Sequence, residues 1–404
     1  MNARHTLALP RRVLLVHQSA DLYGSDRMLL AVAGWLRREG CEAIVMLPQG
    51  GPRGAPLAAA LRTRGVETHE TPPHQVLRLA RRDLSPMGLA RLAAALAPAV
   101  RAIDRCLDGR EVDLVYSSTL AVLAGALWSR LRRRPHLWHL HEIVQRPRLA
   151  AGLLAGLVAR SADVVVCNSH ATQHWLLARQ PALAARCRVV WNGIERPLPA
   201  PPDAALVAAL RPAGARVAIG LVGRINRFKG QELLLDALER LHAQGERSFS
   251  LVYVGSAPAG QPEHERRLRE RIAASPLAPR VVMHGFTPEP APYCAALDIV
   301  CVPSLEAEGL GLAAIEAMAA GRPVVAADIG GLPEVVQHGR TGWLHPPGDA
   351  AALADRLRQL IHDPASRQAM GQQGLRRCGA EFTLERMTSG LREGFAAALV
   401  QAPR

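Results

Sequence analysis

Lysine is almost missing from this chain of 404 residues: of its 49 basic side chains, Lys229 alone is a lysine and the other 48 are arginine. Aromatic residues are also scarce, at 4%. RNA-binding modules interleave aromatics with basic residues, so this poverty, with no RNP-like or zinc-finger pattern, argues against nucleic acid as a partner. Seven cysteines (Cys41, Cys106, Cys167, Cys187, Cys294, Cys301, Cys378) form no CxxC pair. That spacing suits neither a disulfide framework nor a zinc ribbon, and it favours a reducing compartment. Long hydrophobic runs are missing too. The longest, Leu149 to Ala159, has 11 residues, against about 20 for a spanning helix. MNARHTLALPRRVLLVHQS holds no apolar stretch long enough for a secretion signal, so the expectation is a chain with neither signal nor transmembrane segment.

What is present is a globular composition with 49% hydrophobic residues, enough for two or three domains. Short β-rich runs alternate with longer helical ones. RRVLLVHQ, EAIVMLP, VDLVYSS, HLWHLHE, ADVVVCNS and CRVVWNG read as strands in the first half, and AIGLVGR, SLVYVGS, RVVMHGF, DIVCVPS and PVVAAD in the second. SDRMLLAVAGWLRREG, QELLLDALERLHAQG and GLAAIEAMAAG carry helical periodicity. This alternation predicts an α/β protein with two Rossmann-like parallel-sheet domains. The Pro-rich stretch Arg196 to Leu206 is the expected linker. It gives domains at 1–195 and 196–380, followed by a terminal helix at 381–404.

Doubly wound sheets bind ligands at the carboxyl ends of their strands, so the loops leaving the strands are where chemistry is sought. In GLVGRINRFKGQELLLDAL, Gly223 permits a tight turn, and Arg224 and Lys229 lie five apart before a helix. The pair can converge on a diphosphate or form a solvated basic loop. A compact ammonium acts as a point charge on phosphate where a planar guanidinium fork does not fit, and the solitary lysine favours the diphosphate. In SLEAEGLGLAAIEAMAAG, Glu308 precedes the Gly309-Leu310-Gly311 turn, and Glu316 follows in the next helix. Turn amides with a helix N-terminus make an anion site. Glu316 is then a ligand-facing residue or a helix-start acid that complements the dipole. HLWHLHEIV alternates His139 and His141 on one strand face; with His136 they invite a metal, but no fourth ligand follows. In SADLYGSDRM, Ser25 or Asp26 reads as a helix N-cap, with Asp26 also able to orient a second substrate. No Walker A, GxGxxG, GxSxG or Asp-x-Asp pattern occurs.

GRINRFKG, the E-x7-E pair Glu308 and Glu316, and the continuation GRPVVAADIGGLPEVVQHGRTGWLHPPGD closely resemble the retaining glycosyltransferases of family 4. The resemblance is dense from Gly220 to Asp349. It is thinner earlier, at LYGSDRMLL, HLHEI, CNSH and VVWNGIE. It implies a GT-B fold, with the two domains facing a cleft and the C-terminal helix returning to the first. It assigns Arg224 and Lys229 to the donor diphosphate, Glu308 to the sugar hydroxyls and Glu316 to the ribose. Gly223, Gly309, Leu310 and Gly311 would meet sugar and phosphates. A histidine after the HLWHLHE strand would face the donor sugar, with His141 the better match and His139 the alternative. Gly24 corresponds to a small residue near donor and acceptor, although the usual Gly-Gly pair is Tyr23-Gly24 here.

The implied reaction moves a sugar from a UDP- or GDP-linked donor to an acceptor hydroxyl with retention. No metal or further cofactor takes part, and domain closure assists. Alternatives within the fold are a sugar epimerase or phosphorylase, or a non-catalytic nucleotide-binding module. Residues 1–195 carry 26 Arg against 14 acidic residues, and residues 196–404 carry 23 basic against 21 acidic. The charge therefore lies in the half expected to hold the acceptor. His74 to Leu107 and Arg130 to Pro135 are its basic, apolar-interrupted segments. The expectation is a glycan or lipid-linked acceptor and a cytoplasmic protein touching the anionic inner face of the membrane.

Overall fold

The computed structural model describes residues 7–51, 54–78, 85–195, 202–258 and 260–401. The chain divides into two compact units, Met1–Asn192 with Leu384–Arg404, and Gly193–Thr383. These junctions fall three residues from the 195/196 and 380/381 positions read from sequence. Of the expected linker, 196–201 lie outside the described residues, and Ala204–Ala209 is already a short helix.

Unit 1 is built on β1 (Arg12–His17), β2 (Glu42–Pro48), β3 (Glu67–Thr71), β4 (Leu114–Ser118), β5 (His136–Leu140), β6 (Val164–Cys167) and β7 (Cys187–Val189). They form one parallel sheet in the order β3-β2-β1-β4-β5-β6-β7. Central strands covered by helices on both faces need continuous apolar runs; Val13 to Val16 are accordingly fully buried. Val76, Ala99, Ile103 and Trp128 close one part of the core, and Trp138, Leu154, Val158 and Leu176 another. The helix Leu384–Gln401 completes unit 1 by packing on β5, β6 and the helix Gly24–Arg38. Phe395 stacks on Tyr116 with centroids 5.8 Å apart, Gly390 and Gly394 let the helix lie close to Val190 and Val166, and Arg392 pairs with Glu39.

Unit 2 holds β8 (Val217–Val222), β9 (Phe249–Val254), β10 (Val281–His284), β11 (Ile299–Val302), β12 (Val324–Ala327) and β13 (Gly342–His345). All are parallel, in the order β10-β9-β8-β11-β12-β13. Leu234, Leu238, Phe249, Leu251, Ile299 and Leu357 form its core. In each sheet the strand order reverses direction beside the first strand: between β1 and β4, and between β8 and β11. A crevice opens at such a switch point because the loops leaving the two strands run to opposite faces.

The helix Pro86–Leu107 departs from expectation. Its 22 residues are long and apolar enough to cross a membrane by length and composition, which a search for unbroken hydrophobic runs passes over. Ala95, Ala99, Ala102, Ile103, Cys106 and Leu107 are nevertheless buried in the unit 1 core, so the helix is a layer of the sheet domain. Of the basic segment His74 to Leu107, residues 79–84 lie outside the described residues.

Candidate active site

The switch point of unit 2 brings together the two motifs that are some 80 residues apart in sequence. Gly223 follows β8, and the loop it opens turns on Asn226, whose Oδ1 accepts the N–H groups of Phe228 at 2.9 Å and Lys229 at 3.0 Å. Such an Asx turn fixes the backbone without secondary structure. Gln231, 3% exposed, donates from Nε2 to the Arg224 carbonyl at 2.8 Å. Gly230 sits at φ +76° at the start of the helix Gln231–Ala243, and a Cβ there would lie 2.0 Å from the Pro303 carbonyl oxygen. Only glycine lets the β8 loop approach the β11 loop so closely. The contact is extended by Leu305 N–H to the Phe228 carbonyl at 2.7 Å.

The second loop leaves β11 as Pro303-Ser304-Leu305-Glu306-Ala307-Glu308. Lys229 Nζ donates to Glu308 Oε1 at 2.8 Å, with side-chain exposures of 30% and 15%. Ser304, buried, donates its hydroxyl to the same Oε1. Burial pushes the Glu308 carboxyl towards protonation, but the Lys229 ammonium and the Ser304 hydroxyl outweigh it and hold the group below its ordinary range. Gly309, Leu310 and Gly311 follow as buried residues, and Gly311 at φ +96° begins the helix Leu312–Ala319. Glu316 lies on that helix and is buried, so it is not a solvated helix-start acid. Gly330 and Gly331 from the loop after β12 back this turn. Added Cβ atoms would meet Glu308 O at 2.3 Å and Gly309 O at 2.2 Å, and Gly331 N–H donates to Glu308 O at 2.9 Å.

Of the residues singled out by sequence, the structure therefore gathers Gly223, Arg224, Lys229, Glu308, Gly309, Leu310, Gly311 and Glu316 on the loops and helix starts at one edge of unit 2. His141 and Gly24 belong to unit 1. Ser304, Asn226, Gln231, Gly330 and Gly331 were missed, although GG in DIGGLPEVV is a signal of close backbone approach.

Unit 1 has its own polar group at the carboxyl ends of β1, β4 and β5. His17 Nε2 donates to Asp26 Oδ1 at 2.7 Å, with both side chains fully buried. Asp26 Oδ2 also accepts Tyr23 N–H at 2.8 Å. The helix Gly24–Arg38 thus has Tyr23 as its N-cap and Asp26 at the third helical position in a capping box, which corrects the expectation that Ser25 or Asp26 is the cap. Gly24 is the first residue of that helix.

His136 is structural, with Nδ1 to the Ser161 carbonyl at 2.9 Å and Nε2 to Ser117 Oγ at 2.9 Å. His139 takes the Tyr116 hydroxyl on Nδ1 at 2.5 Å. Both nitrogens of His141 are buried and make no hydrogen bond among the described residues, and its ring lies 4.1 Å, centroid to centroid, from that of His139. Burial lowers His136 to about 4 and His139 to about 3. It lowers His141 well below the ordinary value, and the electrostatic repulsion a proton there would meet from neighbouring His139 and His17 acts the same way. Glu142 is raised by burial despite accepting Leu120 N–H at 3.0 Å. Among the described residues no cluster of three or more His, Cys, Asp or Glu side chains is arranged to hold a metal ion.

Residues 23–196 match the family model for Glycosyltransferase Family 4, and residues 216–363 match that for Glycosyl transferases group 1. HepE of Anabaena, solved in complex with UDP-glucose, superposes with a TM-score of 0.78 at 27% identity, covering 95% of this chain and 98% of that one. Sucrose-phosphate synthase of Thermosynechococcus elongatus gives a TM-score of 0.75 at 25% identity, covering 95% and 97%. The lipopolysaccharide core biosynthesis mannosyltransferase LpcC of Rhizobium leguminosarum is 29% identical over 64% of this chain and 78% of its own length. The D-inositol 3-phosphate glycosyltransferase of Kribbella flavida is 36% identical over 53% of this chain, but the match spans only 52% of that protein.

Fold and comparisons together define a GT-B protein of two Rossmann-like units with a C-terminal helix returned to the first. The chain is a glycosyltransferase related to the members of family 4.

Proposed function

We propose that the protein transfers a sugar, with retention and without a metal ion, from a UDP- or GDP-linked donor to an acceptor hydroxyl on a glycan or lipid-linked saccharide. The product would belong to cell-surface polysaccharide or glycolipid synthesis. The observation that carries this is the junction of the β8 and β11 loops at the switch point of unit 2. It holds a cation, Lys229, and a carboxylate, Glu308, side by side. A nucleoside diphosphate needs the first, and sugar hydroxyls need the second.

In this reading Arg224 and Lys229 stabilise the charge that develops on the departing diphosphate. Glu308 accepts hydroxyl hydrogen bonds from the donor sugar, Glu316 serves the ribose, and the amides around Gly309, Leu310 and Gly311 meet sugar and phosphate, with Gly223 giving the turn. The acceptor oxygen forms its bond to the anomeric carbon on the face the diphosphate leaves. The C–O electron pair goes to the leaving phosphate, and that oxygen takes the acceptor proton. Residues 196–380 are proposed to bind the donor and residues 1–195 the acceptor. His141 is favoured over His139 for the sugar-facing role because His139 is already engaged by Tyr116. Gly24 remains proposed on resemblance.

We further propose a cytoplasmic location with peripheral contact to an anionic bilayer. On the helix Pro86–Leu107, Leu89 and Leu96, seven residues apart and so on one face, are exposed at 52% and 42%. This apolar face lies in the half of the chain that carries the positive excess.

The test is a screen of nucleotide sugars for thermal stabilisation, followed by turnover of the stabilising donor in the wild type and in Glu308→Ala. A stabilising donor whose turnover fails in the variant supports the reading. No stabilisation by any UDP- or GDP-sugar contradicts it.

A further inference from the structure

Ser304 precedes the motif glutamate by four residues and is 1% exposed. In the donor site its hydroxyl donates to Glu308 Oε1, the same oxygen that receives Lys229 Nζ at 2.8 Å. Both protein donors therefore converge on one carboxylate oxygen. Among the described residues nothing donates to Oε2, on a side chain that retains 15% exposure. A carboxylate fixed through one oxygen and open at the other presents a single, directed acceptor to a ligand hydroxyl.

The two donors differ in what happens when a donor substrate arrives. Lys229 is a mobile ammonium on the neighbouring loop, and a diphosphate bound beside it competes for its charge. Ser304 belongs to the Glu308 loop itself and stays in place. Its position is fixed because Pro303, the residue before it, is clamped against Gly230, and Leu305, the residue after it, is tied to the Phe228 carbonyl. Burial alone would favour the neutral carboxyl, which would present a proton where a sugar hydroxyl needs an acceptor.

We infer that Ser304 is a positioning residue for donor-sugar recognition: it holds Glu308 as an oriented carboxylate, with Oε2 directed to the sugar hydroxyls, when the diphosphate draws on Lys229. The inference rests on the proposed donor site and adds a residue to it.

The experiment compares wild type, Ser304→Ala and Ser304→Thr at pH 5 to 8, measuring kcat and donor KM with the stabilising nucleotide sugar, and thermal unfolding of each. Ser304→Ala should unfold near the wild-type temperature and raise donor KM about tenfold at pH 7, with a smaller change in kcat. Its donor affinity should also fall more steeply with acid than that of the wild type, because Glu308 takes up a proton at higher pH once the hydroxyl is gone. Ser304→Thr, which keeps the hydroxyl, should recover most of the affinity and the wild-type pH profile.

Unchanged KM and pH profile in Ser304→Ala overturn the inference while leaving the donor site standing, provided Glu308→Ala still abolishes turnover. A loss in Ser304→Ala that is independent of pH, and that Thr does not recover, marks a packing role and also overturns it. No donor-dependent turnover in the wild type overturns inference and donor site together.

Discussion

Lowering the pH from 7 to 5 should destabilise the protein steeply, before its carboxylates begin to titrate in bulk. The cause is the group of buried neutral histidines in unit 1. Burial holds His136 near pKa 4 and His139 near 3, against about 6.5 in the unfolded chain. A group depressed in this way contributes stability that is complete above the unfolded pKa. That stability is lost as pH falls, because the unfolded chain then binds a proton the native state refuses. At pH 5 the cost is about 2 kcal/mol for each histidine, or about 4 kcal/mol for the two. That is a large fraction of a stability of about 5–15 kcal/mol. His141 shifts in the same direction and adds to the loss, while Glu142, raised by burial, opposes it.

Urea unfolding at pH 7, 6 and 5 measures the slope. His139→Gln, which can still accept the Tyr116 hydroxyl but does not titrate, should flatten it by the His139 share, about 2 kcal/mol at pH 5. A stability that is flat between pH 7 and 5, or a His139→Gln variant with an unchanged slope, would refute the burial argument.

Gly230→Ala should destabilise unit 2 by more than the 1–2 kcal/mol that left-handed backbone costs an L-residue, since its Cβ would meet the Pro303 carbonyl; thermal unfolding and donor affinity should fall together. His141→Ala should lose turnover with little change in unfolding temperature. His139→Ala, which strands the buried Tyr116 hydroxyl, should instead lose about 1–3 kcal/mol of stability, and the reverse pattern would contradict the assignment of His141. In sedimentation with anionic vesicles, the protein should pellet at low salt and be released at high salt. Leu89→Asp with Leu96→Asp should abolish pelleting, and pelleting unaffected by that pair would remove the proposed face.

The loops of the proposed donor site were legible because their chemistry is local. Arg224 and Lys229 share one turn and Glu308 and Glu316 one loop-helix junction, and each junction follows an apolar strand that the sequence marks plainly. The strands missed, β3 and β13, are edges. ETHET has no apolar residue, because only Thr71 of that strand is buried, and GWLH is four residues that open on a glycine. Neither carries the apolar run of a central strand.

Ser304 and Gly331 escaped because what matters about them is which loop they touch, and that depends on sheet order. The same holds for Asp26. Its nine-residue separation from His17 suggests no pairing until β1 and the helix after it fold back on one another and bury both. The capping role was visible in the sequence and assigned to the wrong position, since Tyr23 takes the cap and Asp26 reaches back to it.

The central claim is that the β8 and β11 loops of unit 2 bind a diphosphate through the chain's single lysine. Calorimetric titration of UDP and GDP into the wild type and Lys229→Ala tests it most directly. One of the two should bind the wild type saturably, and its affinity should fall by about tenfold or more in the variant, with the unfolding temperature preserved. Equal affinity of that nucleoside diphosphate for both proteins would contradict the claim.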